Sequence, residues 1–402
     1  MQETLAILLS SNPVNNQIFW KMKKLLTTLL VGALCICCEK PSNHNSIIQE
    51  STNASSTVNL SEILANFRLI PLEKTPASLI FEVRKIVKND GLFYILNGDK
   101  QLLVFDNDGL FVRQISSHGR GPGEYEVISD FDVNDDHIVI LDIGKTHFYN
   151  KNGGYEKSIP IKFRGYKMKF LPGGNIIFNS SGEEDLLCIM NPDGQEISRY
   201  LKRGKRHMIR KMNPFIQIGE KIYFQDGTLA NDIWCYDCKS GNDGMIKFVD
   251  DPDAVSADQE EEYVASQGFE YAGNTNSRMK VRGMNASKEK GMAITFKNDD
   301  VSAHLHIFEV GTGKSIRYEM APSAQILEDI TFSEMPYSLF ATFNCAAENN
   351  LISVVQPYKI QENLEKNKDK SGNDNYENTK RIIGSLGDVY DANPLIFEYS
   401  FK

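Results

Sequence analysis

A turn glycine that returns roughly every 40 to 50 residues is the feature that most limits how this chain can fold. Gly109, Gly153, Gly194 and Gly241 each follow an Asp, Asn or Ser, and they are 44, 41 and 47 residues apart. Each lies between two short runs of alternating apolar and polar residues, which is the pattern of a β-hairpin. A repeat of this length, with about four short strands per unit, is typical of the blades of a β-propeller.

The repeat predicts an all-β fold, a six-bladed β-propeller of four-stranded blades. A fifth unit turns at Thr312-Gly313, and a less regular sixth unit runs from about Ile326 to the end. The segment Phe67–Leu72 precedes the first unit and has no hairpin partner of its own. We therefore expect this N-terminal strand to pair into the last blade and close the ring, which removes two free sheet edges. A seven-bladed ring with one degenerate blade is the alternative.

The predicted propeller spans residues 62–402, with insertions near 250–285 and 361–390. The second insertion is polar and charged, which favours a partly helical surface segment. Residues 39–61 are rich in Ser and Asn and poor in bulky apolar side chains, so a flexible tether is expected there. Residues 1–21 lack the charged beginning of an export signal, and we interpret them as an over-extended gene start.

Residues 22–38 have the pattern of an export signal. Two lysines precede an almost wholly apolar run over residues 25–35, which is too short for a stable membrane-spanning helix. Cys38 follows a small residue and precedes a polar chain. The pattern resembles a bacterial lipoprotein signal peptide, with Cys38 as the lipidation site. An ordinary secretory signal or an uncleaved anchor is the alternative.

A glycine-rich stretch, residues 117–125, lies between the first two units. Phosphate-binding loops of similar composition run into a helix, whereas a strand follows here. We interpret the glycines as positions of positive φ, where the chain crosses from one blade to the next. The crossing lies near the mouth of the channel, which makes His118, Arg120, Glu124 and Tyr125 candidate ligand-binding residues. Arg120 and Glu124 could instead pair with each other.

Three segments resemble the NHL-like and TolB-like six-bladed propeller proteins, which are widespread as bacterial lipoproteins. They are residues 119–125, the strand pair at 131–133 and 138–142, and the end at 393–399. The resemblance covers roughly residues 67–402. It implies the fold and a location in the cell envelope, but the family is functionally broad, so the resemblance implies no catalytic activity.

Three short motifs have ligand-like spacing without the rest of a metal or redox site. The Cys pair at 235–238 lies in an alternating segment, without a second pair or a helix start. The acidic turn at 132–136 lacks the glycine and glutamate of a calcium loop. The histidines at 304–306 would share one face of a strand, but two ligands are not a site. No catalytic residue, metal or cofactor is predicted.

Charge and motif content limit the possible functions. The chain carries 44 basic and 53 acidic residues, a formal charge of −9, which argues against a nucleic-acid surface. It has no Gly-x-Ser-x-Gly elbow and no cysteine in a histidine context. We expect a monomeric binding or scaffold module, lipid-anchored to the bacterial envelope at the outer membrane, with a glycan, peptide or protein ligand. The alternative is a lactonase-like or lyase-like enzyme with a metal or paired carboxylates in the channel.

Overall fold

The computed structural model describes residues 45–53, 64–98, 100–181, 184–202, 213–226, 229, 232–248, 280–286, 290–296, 303–309, 314–320, 343–347, 350–372 and 374–401. All of them belong to one compact unit, 45–402.

The predicted signal peptide, Cys38 and the predicted over-extended start lie outside the described residues. Most of the predicted insertion near 250–285 does too. Within the described ranges, no helix has the length and apolar character needed to cross a membrane.

The described residues are mostly β-strands. In chain order the first strands are β1 (Asn45–Asn53), β2 (Leu64–Pro71), β3 (Val83–Asn89), β4 (Leu92–Asn97), β5 (Gln101–Phe105), β6 (Phe111–Ile115), β7 (Asp130–Val133), β8 (His137–Asp142), β9 (Lys145–Asn150), β10 (Tyr155–Pro160), β11 (Arg164–Phe170), β12 (Ile176–Ser181), β13 (Asp185–Met190) and β14 (Glu196–Lys202). They are followed by β15 (Phe215–Ile218), β16 (Lys221–Phe224), β17 (Ile233–Asp237), β18 (Asp243–Phe248), β19 (Lys280–Ala286), β20 (Lys290–Phe296), β21 (Ala303–Glu309), β22 (Lys314–Met320), β23 (Phe343–Ala347), β24 (Asn350–Val355) and β25 (Leu395–Phe401).

These strands form a propeller of five sheets, four with four strands and one with nine. Three of the four-stranded sheets are meanders of consecutive strands, β3 to β6, β7 to β10 and β11 to β14. The fourth has the order β2-β25-β24-β23. The nine-stranded sheet has the order β15-β16-β17-β18-β1-β22-β21-β20-β19. The first strands of neighbouring sheets contact one another, β3 with β7 and β7 with β11, so these strands lie on the inside of the ring.

The prediction of six separate four-stranded blades is wrong, because β1 joins two predicted units into one sheet. Asn45–Asn53 pairs in parallel with β18 on one side and with β22 on the other. The outer edges of those two strands would otherwise present unpaired N–H and C=O groups, and β1 covers both. This strand lies inside residues 39–61, so part of the segment expected to be a flexible tether is instead a paired strand.

The N-terminal strand β2 lies where the sequence led us to expect it, in the last sheet. It pairs antiparallel with β25, with Phe67 opposite Tyr399 and Ile70 opposite Ile396. Asn393 ties the same junction together, because its buried side chain accepts from the N–H of Ile80 and donates to backbone carbonyls upstream. β2 and the C-terminal strand β25 are thereby held in one sheet.

The repeated turn glycines have the backbone conformation that the hairpins require. Gly109, Gly153, Gly194 and Gly241 have φ of 86°, 85°, 85° and 71°. A side chain is strained in this left-handed region, which explains the regular return of glycine. Adjacent sheets then pack face to face through the alternating apolar residues, and fully buried members of one such interface are Tyr94, Val104, Ile138 and Ile140. Burying each large apolar side chain stabilises the fold by about 1.5 to 3 kcal/mol.

Two helices lie between β24 and β25, in the region of the predicted insertion near 361–390. They are α1 (Pro357–Lys366) and α2 (Asp374–Ser385), separated by a short 3-10 turn, Lys368–Lys370. Pro357 occupies the start of α1, where its missing N–H costs no intrahelical hydrogen bond. Each helix buries a few residues on one side, and the Tyr376 hydroxyl donates to the carbonyl of Leu364, 3.1 Å away. The insertion is therefore a packed helical pair.

Candidate functional site

Two buried aspartates connect neighbouring inner strands at the centre of the ring. Asp130 is the first residue of β7, and Asp132 points to the same face because side chains alternate along a strand. The N–H of Met168 donates to Asp130 (2.8 Å), and the N–H of Phe170 donates to Asp132 (2.7 Å). Both backbone donors belong to β11 of the next sheet. Hydrogen bonds from backbone N–H groups to these carboxylates thus connect two sheets that share no backbone-to-backbone pairing.

Three lysines surround these aspartates. Lys85 on β3 donates to both oxygens of Asp130 (3.0 and 3.1 Å) and to the carbonyl of Phe131 (2.6 Å), which uses all three of its N–H groups. Lys167 lies 3.8 Å from Asp130, and Lys169 lies 3.7 Å from Asp132. We call these five side chains, Lys85, Asp130, Asp132, Lys167 and Lys169, the inner cluster.

The two lysines on β11 differ from Lys85 in their hydrogen bonding. Neither Lys167 nor Lys169 makes a hydrogen bond to a residue in the described ranges, although each is close enough to an aspartate for an ion pair. Their side chains are only 15% and 24% exposed. Burial lowers the pKa of Lys167, and the nearby Asp130 charge opposes that shift. The inner cluster therefore has ammonium donors to spare, whereas its carboxylates are already engaged.

The glycine-rich stretch is a loop closed on itself around Glu124. The N–H of Gly119 donates to the carbonyl of Tyr125 (2.9 Å), and the N–H of Gly121 donates to the Glu124 carboxylate (2.7 Å). A Cβ built on Gly119 would lie 2.0 Å from Oε2 of Glu124, and one on Gly121 would lie 3.0 Å away. A side chain at Gly119 would therefore displace the Glu124 carboxylate from the loop, and a side chain at Gly121 would crowd it.

Of the four candidate residues in this loop, two are exposed and two support the loop. His118 is exposed and forms an isolated parallel bridge with Tyr125. Arg120 is 85% exposed and pairs with Glu126 (2.7 Å), not with Glu124. Glu124 is engaged by the N–H of Gly121 as described above. His118 and Arg120 thus present their side chains to solvent.

Tyr125, the fourth candidate, is fully buried in the interface between the first two sheets. Its hydroxyl donates to the carbonyl of Lys100 (2.9 Å), and burial raises its pKa. The side chain fixes the loop to the buried interface between the sheets and has no exposed surface.

A polar network that the sequence did not suggest lies at the outer edge of the second sheet. His147 on β9 stands directly opposite Ser158 on β10. Nδ1 of His147 lies 2.8 Å from Oγ of Ser158, and Nε2 lies 3.3 Å from Oδ2 of Asp142. The Tyr155 hydroxyl lies 2.8 Å from the same Ser158 oxygen. We call Asp142, His147, Ser158 and Tyr155 the rim network.

The surroundings of the rim network fix the charge of its members. Burial lowers the pKa of His147, and the hydrogen bond to Asp142 only opposes this shift, so the imidazole is neutral near pH 7. Burial would raise the pKa of Asp142, but the N–H groups of Glu126, Val127 and Ile143 outweigh it and hold the pKa below its usual value. An ionised carboxylate therefore faces a neutral histidine.

The rim network and the glycine-rich loop are in direct contact. Gly123 has φ of 78°, and a Cβ built on it would lie 2.6 Å from the ring of Tyr155. The hydroxyl of Tyr149 donates to the carbonyl of Gly123. The loop therefore holds the tyrosine ring in place against Ser158.

The cysteine pair at 235–238 lies in β17 and in the turn that follows it. Cys235 and Cys238 are free thiols, and burial raises the pKa of each to about 11, so both are protonated at neutral pH. Among the described side chains, no group of three or more His, Cys, Asp or Glu lies together in a way that could hold a metal ion. The side chains of the histidine pair at 304–306 lie outside the described residues.

A model of a protein family described as a domain of unknown function, DUF4934, matches residues 45–400. The chain belongs to the DUF4934 family. The match begins at the first residue of β1 and ends within β25, so the strand that joins two units belongs to the DUF4934 domain. A comparison with curated proteins gave no match.

Solved structures similar to the DUF4934 chain include one that covers nearly all of it. A Bacteroides fragilis protein predicted to be exported is 17% identical, with a TM-score of 0.69, over 88% of this chain and 99% of that one. The extracellular domain of a predicted hybrid two-component system from Bacteroides thetaiotaomicron is 11% identical, with a TM-score of 0.40, over 61% of this chain and 31% of that one. BamB from Moraxella catarrhalis is 13% identical, with a TM-score of 0.41, over 63% of this chain and 68% of that one. The first likeness supports the β-propeller fold.

Proposed function

We propose that this DUF4934 chain is a lipid-anchored binding module of the bacterial envelope that takes an acidic glycan, peptide or protein at the centre of its ring. The observation that carries the proposal is the pair of inner lysines, Lys167 and Lys169, whose ammonium groups make no hydrogen bond within the described part of the chain. Carboxylate, sulfate or phosphate oxygens would supply the missing acceptors.

The energetics of the inner cluster favour an anion over a cation. Asp130 and Asp132 already accept backbone N–H groups and face three lysines, so they have little capacity for a further positive group. A hydrogen bond between a charged lysine and an anionic acceptor contributes about 1.5 to 3 kcal/mol. Lys167 and Lys169 offset their partial burial only through long ion pairs, at 3.8 and 3.7 Å, and an anionic ligand would add hydrogen bonds to both ammonium groups.

The glycine-rich loop extends the same binding surface. The loop comes shortly before β7 in the chain, and Asp130 of the inner cluster is the first residue of β7. The loop therefore lies at the end of β7 that carries Asp130. His118 and Arg120 are exposed on a loop fixed by its own backbone and by Glu124. A rigid loop that presents polar side chains is a common way for a scaffold to contact a partner.

The proposed location rests on the signal pattern at residues 22–38, with Cys38 as the lipid acceptor. The Bacteroides fragilis structure of a predicted exported protein supports it. A single acyl chain binds a membrane only marginally, so stable anchoring requires the additional chains that a lipoprotein cysteine carries. Radiolabelled palmitate should enter the full-length protein and be lost in Cys38→Ala. Retention of the label in that variant would overturn the assignment.

The binding proposal is tested with the purified full-length protein and three immobilised polymers, which are polygalacturonate, polyglutamate and neutral dextran. We expect the protein to bind at least one of the two polyanions, more weakly as salt rises, and not dextran. The double variant Lys167→Gln/Lys169→Gln should lose at least tenfold in affinity. The control Lys157→Gln, which removes an exposed lysine paired with Asp193, should change it less than twofold. Equal loss in both variants, or no binding to either polyanion, would contradict the proposal.

A further inference from the structure

We propose that Ser158 is an activated nucleophile that accepts an acyl group from small carboxylic esters at the rim of the second sheet. The rim network supplies a serine, a histidine base and an orienting carboxylate in a continuous chain of contacts. A tyrosine hydroxyl lies beside the nucleophile. This activity is independent of the anion binding proposed for the inner cluster.

The geometry meets the requirement for a base-activated hydroxyl. A nucleophile and its base must lie within about 2.6 to 3.2 Å of each other, and the base must be oriented by a third group. Ser158 Oγ and His147 Nδ1 are 2.8 Å apart. The opposite ring nitrogen, Nε2, faces Asp142. The serine and the aspartate thus contact different nitrogens of one imidazole, with the serine on Nδ1 and the aspartate on Nε2, which is the reverse of the usual Ser-His-Asp arrangement.

The protonation states also fit this role. Because Asp142 is ionised and acceptor-only, the histidine carries its proton on Nε2 and donates it to the carboxylate. Nδ1 is then a lone-pair acceptor for the hydroxyl proton of Ser158. Burial keeps His147 neutral near pH 7, which leaves this acceptor free at physiological pH.

Tyr155 supplies a donor where negative charge would develop. Its hydroxyl lies 2.8 Å from Ser158 Oγ, and Tyr155 as a whole is 41% exposed. Its ring contacts the ring of Tyr149 edge-on, with centroids 6.0 Å apart, and it also packs against Gly123. A positioned tyrosine hydroxyl can stabilise an oxyanion without the cost of reorganising solvent.

Accessibility follows from the place of β10 in the sheet. In the order β10-β9-β8-β7, β10 is the outer strand, and Ser158 is half-buried on it. His147 on the next strand inward is buried. A small ester can therefore approach the serine from outside, while the base stays shielded from water.

The proposed reaction has two balanced stages. Ser158 Oγ forms a bond to the ester carbonyl carbon, its proton moves to His147 Nδ1, and the carbonyl electron pair moves onto the oxygen beside the Tyr155 hydroxyl. The pair returns, the C–O bond to the leaving alkoxide breaks, and the histidine gives its proton to that oxygen, so that an alcohol leaves. Water then attacks the acyl-serine with His147 as base, which releases a carboxylic acid and restores the serine.

The decisive experiment treats the full-length protein with a fluorophosphonate probe and maps the labelled peptide by mass spectrometry. We expect one adduct, on Ser158. It should be absent in Ser158→Ala and form at least tenfold more slowly in His147→Gln. Ser198→Ala is the matched control, because Ser198 lies on the outer strand β14 of the next sheet, faces Ile189, and has no hydrogen-bond partner for its hydroxyl among the described residues. This variant should label as the wild type does.

A second readout separates a reactive serine from one that only supports the loop. Hydrolysis of p-nitrophenyl acetate should fall at least tenfold in kcat in Tyr155→Phe, with KM changed less than threefold, because the lost hydroxyl acts on the oxyanion. Absence of polyanion binding in the wild type would leave the labelling result standing, because the inner cluster and the rim network share no residue. An unlabelled wild-type protein, or a Ser158 adduct that forms equally fast in folded His147→Gln, would overturn the proposal.

Discussion

The inner cluster and the rim network are each built around a buried aspartate, yet the two carboxylates are compensated in different ways. Asp130 accepts a backbone N–H and faces two lysine ammonium groups. Asp142 accepts three backbone N–H groups and faces a neutral histidine. At the centre, charge is balanced by charge. At the rim, the partly exposed Lys145 lies 3.7 Å from the Asp142 carboxylate, and hydrogen bonds from backbone N–H groups hold that carboxylate ionised.

This difference determines what each region can do. In the inner cluster, the donors left over are ammonium groups, which favour recognition of an anion. In the rim network, the chain of hydrogen bonds ends on the hydroxyls of Ser158 and Tyr155 at the surface, which favours proton transfer. The same residue type, placed on an inner strand or at the end of β8, therefore supports binding in one region and activation of a nucleophile in the other.

The largest expected effect comes from removing the central carboxylate. Asp130→Ala leaves Lys85 and Lys167 without their counter-charge, and breaking a buried ion pair in this way costs about 3 to 5 kcal/mol. We expect a large fall in the urea midpoint of unfolding. Asp193→Ala, which breaks an exposed pair with Lys157, should cost at most about 1 kcal/mol. Similar losses in the two variants would show that the inner charges are screened like surface charges.

A smaller effect is expected where the loop meets the rim network. Gly123→Ala combines a residue at φ of 78° with a Cβ 2.6 Å from the Tyr155 ring, and should destabilise the protein by about 1 to 3 kcal/mol. Gly91→Ala is the control, since Gly91 has φ of 70° and no atom within 4 Å of its Cβ. Only Gly123→Ala should also slow fluorophosphonate labelling. If both variants label as the wild type does, the loop does not position Tyr155.

The pH dependence of stability distinguishes the two regions through His147. Burial lowers the folded-state pKa of this histidine below the ordinary 6.5. The unfolded chain therefore binds the proton first, and the stability that comes from keeping the imidazole neutral is lost as pH falls below 6.5 toward the folded-state pKa. In urea titrations at pH values below 6.5, the unfolding free energy of the wild type should fall by this contribution, whereas that of His147→Gln should not. Parallel curves for the two proteins would show that folding does not lower the pKa of this histidine.

The sequence predicted the regular part of the fold well because hairpin glycines are local signals. Positive φ at Gly109, Gly153 and Gly194 follows from turn chemistry alone. The role of β1 did not follow, because its parallel pairing joins segments about 200 residues or more apart, and no short motif records such a contact. The number of sheets was therefore wrong although most of the turns were right.

The candidate sites were less predictable for a related reason. The glycine-rich loop was recognised as a blade crossing, but of its glycines only Gly123 has the expected positive φ. Gly119 and Gly121 lie against the carboxylate of Glu124, which sequence spacing does not show. The contact between His147 and Ser158 depends on a register shift between Tyr155 and Lys157, and a bulge of this kind changes which residues stand opposite each other. The alternating pairs Asp130/Asp132 and Lys167/Lys169 were the available sequence signals of the inner cluster.

The smallest effect on stability is expected at the surface of the glycine-rich loop. Comparing Arg120 with Glu124 there separates a residue that contacts a ligand from one that supports the loop. Arg120→Ala removes an exposed pair with Glu126, and such pairs contribute about 0 to 1 kcal/mol, so the urea midpoint should hardly move. Glu124→Ala removes the acceptor of the Gly121 N–H and should cost more, about 1 to 2 kcal/mol. If Arg120 contacts the polyanion, its variant should weaken polygalacturonate or polyglutamate binding at unchanged stability. A loss of stability equal to that of Glu124→Ala would instead make Arg120 part of the support of the loop.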